Sequence, residues 1–178
     1  MKVNISQADE VITGDAKLPR DRYKVAVVGS EAKISSAGNA MIQLDLEIVE
    51  PETIEYDGQK IAVAGKQARM WWMLSGGRLA TTIEKAKLLG VEERLGLDSP
   101  ELDTDDIERD CLKGLTFDMI LYSQEREQRK EQTPEQKAAG QPGDPILDAN
   151  GQAIKLGYNI VANQQSILGN PNWTEQAF

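Results

Sequence analysis

The chain has 178 residues, which suits one domain large enough to bury a core unaided. It holds one cysteine, Cys111, and no histidine, which excludes a disulfide framework, a Cys/His zinc site and every nucleophile–histidine pair. The net charge is −9, but residues 97–118 alone carry 8 acidic against 2 basic side chains while residues 1–96 carry 14 against 13, so the sum does not exclude an anionic partner for the rest of the chain.

No apolar run approaches the roughly 20 residues of a membrane helix, and Met1-Lys2-Val3-Asn4 does not begin like a signal peptide. A cytoplasmic protein is the expectation. Residues 1–17 are polar and mixed and read as an N-terminal arm. Leu18-Pro19-Arg20-Asp21 makes a turn into a β-branched first strand over 22–28, which continues raggedly through Gly29 to Ile34. Residues 35–39 form a turn in which Gly38 and Asn39 tolerate positive φ. In the second strand Ile42, Leu44, Leu46 and Ile48 alternate with Gln43, Asp45 and Glu47, the pattern of a half-buried antiparallel strand.

Pro51 interrupts. Asp57-Gly58 between the runs 53–56 and 59–62 predicts a tight hairpin. The third strand follows through a bulge at Gly65 and contains Gln67-Ala68-Arg69-Met70-Trp71-Trp72-Met73-Leu74. Neighbouring side chains on a strand face opposite ways, so Trp71 and Trp72 cannot share a face. Trp72 falls with Ala68, Met70 and Leu74, an apolar set suited to a core. Trp71 falls with Gln67, Arg69 and Met73. A cation two residues from a flat ring suits a single-stranded nucleic acid, the cation meeting phosphate and the ring a base. The competing reading packs Trp71 beneath a loop or against another chain.

After Gly76-Gly77 the period becomes helical. Thr81 or Thr82 is placed to cap a helix over 84–89, Thr81 having capping-box spacing to Glu84, with Ile83, Ala86 and Leu89 as its apolar stripe. A second short helix is predicted over 104–112, capped by Thr104. Its first-turn acids suit the helix dipole and explain the acidic segment without a metal, since Asp103, Asp105 and Asp106 lack calcium-loop spacing. Leu115, Phe117, Met119 and Leu121 mark a fourth strand. Residues 125–152 are polar and rich in Pro and Gly, a composition that predicts a flexible, disordered loop. A fifth strand covers 154–161, and residues 169–178 read as a C-terminal tail.

The fold class that follows is mainly β, a five-stranded OB-fold barrel over residues 18–168. It has a helical insertion between strands 3 and 4 and a long disordered loop between strands 4 and 5. Oligonucleotides bind such barrels around strands 2 and 3 and the loops 1–2 and 4–5, here residues 33–40 and 125–152.

Several short motifs carry a resemblance. They are Leu18-Pro19, then residues 23–28, then Ser35-Ser36-Ala37-Gly38-Asn39 followed by the alternating strand 44–48. Later come Asp103-Thr104-Asp105-Asp106 before Leu112-Lys113-Gly114-Leu115-Thr116-Phe117, and Gly157-Tyr158-Asn159-Ile160. In this order they resemble phage-encoded single-stranded DNA-binding proteins with an OB-fold, over about residues 18–165. The resemblance implies sequence-independent binding of single-stranded DNA in phage DNA replication or recombination, in the host cytoplasm. It departs in the longer loop 125–152. It departs also at the C-terminus, where Phe178 is the last residue but Glu175 is the one acid nearby; recruitment of replication or recombination partners through an acidic tail is weakened accordingly.

The nucleic-acid-binding candidates are Trp71 for stacking, Arg69, Lys66, Lys33 and Lys24 for phosphate, and Arg126, Arg129 and Lys130 at the root of the loop. Tyr122 is a second stacking candidate, whereas Tyr158 shares the parity of Ile154, Leu156 and Ile160 and reads as core. Asp45 and Glu47 on the same face count against a strongly basic site. No cofactor, metal ligand or catalytic residue is expected, because no phosphate loop, dinucleotide fingerprint or metal spacing occurs. A homo-oligomer is compatible with the sequence. The alternative from a different class is an OB-fold protein-interaction module, a phage adaptor or inhibitor whose acidic segment 97–118 meets a basic host protein.

Overall fold

A computed structural model describes residues 11–174, and strands dominate them. In chain order these are β1 (Val11–Ile12), β2 (Asp21–Ile34), β3 (Ala40–Glu50), β4 (Thr53–Tyr56), β5 (Gln59–Ala62), β6 (Gln67–Met73), β7 (Leu115–Glu127), β8 (Lys155–Val161) and β9 (Ile167–Trp173). Helix α1 (Arg78–Leu89) lies between β6 and β7, and the short α2 (Pro134–Ala138) lies between β7 and β8.

The main sheet has the order β2-β3-β6-β8-β7-β9, and β2 also pairs with β7. At residues 24–26 the strand β2 pairs with β3 and β7 at once, one on each edge. Register shifts against β3 fall at Lys24/Val25 and between Val27 and Gly29, so Val28 is the extra residue of a bulge. The sheet thereby curls on itself and is partly closed. The seam is thin where β6 meets β8, a parallel contact at the one pair Arg69↔Val161.

Alternation puts Ile42, Leu44, Leu46 and Ile48 of β3 inside against Val25 and Val27 of β2 and Phe117 and Met119 of β7, all fully buried or nearly so. The Asp57-Gly58 hairpin forms as expected, with positive φ of 52° and 72° at the two turn residues. It joins a small separate sheet instead of leading directly into β6. There β5 pairs antiparallel with β4 and parallel with β1. Residues 63–66 turn rather than bulge, with the Lys66 amide donating to the Val63 carbonyl at 3.1 Å.

Elsewhere the fold departs further from expectation. Helix α1 starts earlier than predicted, at a Gly77 cap with no side-chain bond, and Thr82 is a buried residue of its inner face with Ala86 and Leu89. The Thr82 hydroxyl donates to the Met73 carbonyl at 2.7 Å, which is how a polar group is accommodated there. The helix expected over 104–112 is one 3₁₀ turn, Thr104–Asp106, capped by Asp103 accepting from the Asp105 amide.

Residues 125–152 are not a disordered loop in this structure. They extend the β7–β8 ladder into an arm, with α2 at its end closed by a Thr133–Gln136 capping box. The stretch 169–173, expected in a tail, belongs to β9 paired with β7, and residues 175–178 lie outside the described residues. Likewise residues 1–10 of the expected N-terminal arm lie outside them, while 11–17 are tied to the body. Lys66 Nζ donates to the Gly14 carbonyl at 2.8 Å and the Tyr158 amide donates to Asp15 Oδ2 at 3.1 Å.

Candidate functional site

Strand β6 divides the two tryptophans. Trp72 is 0% exposed and lies in the core with Met70; Trp71 is 48% exposed on the opposite face. Pairing with β3 sets Trp71 opposite Gln43 and Arg69 opposite Asp45. Arg69 Nε donates to Asp45 Oδ1 at 2.8 Å, so the cation expected to meet phosphate has a carboxylate neighbour.

An open groove of about 720 Å³ runs along the seam between β6 and β8. Asp45 of β3 and Arg69 and Trp71 of β6 line it together with Gln124 of β7, Asn159 of β8 and Asn163 just beyond β8. The groove exists because β6 and β8 touch at one pair and then part. A second hollow of about 320 Å³ shares Trp71 and Asn163 with the first and reaches Arg78 and Gln165. Trp71 therefore stands at the junction of one continuous depression. Arg78 makes no ion pair among the described residues.

The other sequence candidates are not gathered here. Lys66 adjoins Gln67 of the groove, but its amine is bonded to Gly14. Lys24 pairs with Glu50 at 3.2 Å and Lys33 with Glu31 at 3.7 Å, both along β2 and outside the groove lining. Arg126 donates to the Leu156 carbonyl at 3.3 Å; Arg129 donates to the Gly143 carbonyl at 2.9 Å and pairs with Glu127. These two hold the arm together rather than facing the groove, and Lys130, exposed on the same arm, is not part of the lining either. Tyr122 has the parity of Gln124, yet the Arg20 guanidinium lies 5.2 Å from its ring centre. Tyr158 is half-buried and Leu156 is exposed, so the expected core face of that strand is not a core face.

Sequence reasoning missed Arg78, Gln124, Asn159 and Asn163. A helix start, two strand positions and a loop carry them. Only the pairing of β6 with β8, two strands some 90 residues apart in the chain, brings them to Trp71. No local pattern reports a parallel contact of one residue pair.

A buried polar cluster on the far strands is structural. Asp118 is 8% exposed and accepts hydrogen bonds from Arg22 Nη2 and, at 2.8 Å, from Asn170 Nδ2. Burial alone would raise its pKa; the bonds from Arg22 and Asn170 and the Arg22 charge outweigh this and hold the carboxyl below its ordinary value. Burial, with the Asp21 charge adding, pushes the Tyr23 phenol up to about 12, and its hydroxyl donates to the Pro19 carbonyl at 3.1 Å.

Among the described residues no group of three His, Cys, Asp or Glu side chains could hold a metal ion, and no helix is long and apolar enough to cross a membrane. No curated protein and no solved structure matches the chain. One family model does match, over a stretch that carries Trp71, Arg69 and Arg78 and ends before β7. Residues 3–109, more than half of the chain, fit the model described as "Protein of unknown function (DUF669)", and the chain belongs to that family.

Proposed function

We propose that the chain binds single-stranded DNA, with Trp71 stacking on a base at the junction of the two hollows. The observation that carries this reading is the exposure of Trp71 on an open groove while its neighbour Trp72 is buried. An indole in water loses little by stacking on a base, and every base offers a π-face. Arg69 and Arg78 on either side of Trp71 supply charge for flanking phosphates. The succession β2-β3-β6-β8-β7, returning to β2, with α1 inserted before β7, supports an OB-fold reading, in which the groove would follow the usual oligonucleotide face. The setting implied by the resemblance of the sequence motifs is phage DNA replication or recombination in the host cytoplasm.

The test is anisotropy of a labelled oligo-dT at low salt, against the same sequence as duplex. Saturable binding of the single strand, weaker for the duplex and for Trp71→Ala, supports the reading. No binding of either strand form removes it. In that case a pull-down of a basic host protein, unaffected by nuclease, would favour the protein-interaction module.

A further inference from the structure

We infer that the groove recognises its single strand through base edges more than through phosphates. This rests on the single-strand reading above and deepens it. The lining carries little net charge. Among the described residues Arg69 is the one cation lining the larger hollow, and Asp45 lies 2.8 Å from it, so the pair adds little net field. Arg78 is the one cation among the described residues of the smaller hollow. A strand bound here meets two arginines of the described residues, in a chain of net charge −9.

What the lining has in quantity is side-chain amide. Gln67, Gln124, Asn159 and Asn163 all line the larger hollow and are exposed. Among the described residues none of these four amides has a side-chain hydrogen bond, in contrast to Gln43, which is buried beside Asp45. An amide presents one acceptor and one donor side by side. To phosphate, which only accepts, it offers its N–H alone and no charge, whereas to a base edge that shows a donor next to an acceptor it offers both groups. In a single strand both the Watson–Crick and the Hoogsteen edges are accessible. Every base shows such a pair: adenine N6–H with N1 or N7, guanine N1–H with O6, cytosine N4–H with N3, and thymine N3–H with O4 or O2. A base stacked on Trp71 enters the same hollow that these amides line. Stacking then anchors the strand and the amides hold its base edges.

The experiment compares labelled dA, dC and dT homopolymers of about 12 nucleotides, within the range of single OB-fold sites, across a salt series with the full chain. Two variants, Asn159→Leu and Gln124→Leu, are measured alongside, with melting temperatures as the check on folding. The expected result is a loss of about fivefold or more in the affinity of all three homopolymers in each variant, the effect of one two-point contact. The expected slope of log K against log salt for the unaltered chain is about −1.4 or shallower, two phosphates at about −0.7 each. Affinities unchanged in both variants, or a slope steeper than that, overturn the inference and leave single-strand binding standing. Absence of binding to all three overturns both.

Discussion

Asp45 sets how much of the Arg69 charge reaches a ligand. The pair is exposed on both sides, so its contribution to stability is about 0–1 kcal/mol and its effect on binding is the larger one. Asp45→Asn should leave the melting transition nearly unchanged, raise affinity for oligo-dT, and steepen the salt slope by at most about 0.7 as Asp45 stops competing with phosphate for Arg69. A salt series on both proteins checks this. The two tryptophans give a second test at the same scale. Trp72→Ala empties a fully buried site and should cost about 3–5 kcal/mol of unfolding free energy by denaturant titration. Trp71→Ala removes a half-exposed ring and should cost about 1 kcal/mol or less. Asp118 supplies a pH test. Its folded-state pKa lies below the unfolded one, so its contribution to stability is full above the unfolded value and is lost as pH falls through the folded value. Melting temperature should therefore drop on acidification below the ordinary aspartate pKa. Asp118→Asn should be less stable at neutral pH and should show a flatter acid limb.

Strands with one buried face were legible in the sequence because period-2 alternation is imposed by that face. β3 shows it residue by residue, and β6 follows once its parity is read from Met70 and Trp72. The arm between β7 and β8 was not legible. Its composition buries few apolar groups, and composition is what predicted disorder. Backbone pairing holds it instead. The Gln128 amide donates to the Ile154 carbonyl, Ile146 to Gln128, and Lys130 to Asp144, each at 2.8 Å. The Thr133–Gln136 capping box then closes α2, with both reciprocal bonds present. Thr133→Ala should cost about 1 kcal/mol locally and speed amide exchange over 133–141, leaving exchange in β3 and β6 unchanged. Equal exchange in the variant would mean that the arm does not depend on its cap. The same limit explains the misplaced helix caps. Thr81 and Thr104 have the spacing, but α1 already begins after Gly77, whose own backbone is helical, and Asp103, in extended geometry, caps the 3₁₀ turn.

At the scale of the molecule, function depends on how the sheet closes. β2 pairs with β3 along one edge and with β7 along the other, and the ring of pairings leaves one weak seam between β6 and β8. The groove is that seam. Half of the candidate site was readable in advance, because Arg69 and Trp71 lie two apart on one strand. The other half, Arg78 with the amides of β7, β8 and the turn after β8, depends on long-range pairing that no short window contains. The basic residues proposed from sequence failed for a related reason. Lysines and arginines on a strongly acidic chain find carboxylates nearby, as Lys24, Lys33 and Arg129 do. The central claim is that the exposed indole of Trp71 is the anchor for a single strand. The most direct measurement is the dissociation constant of labelled oligo-dT at low salt for the unaltered chain and for Trp71→Ala, with unfolding curves for both. The account predicts a loss of about 1–3 kcal/mol in binding, roughly five- to 150-fold, with unfolding shifted little. Equal affinity in the two proteins, or no affinity in either, would contradict it.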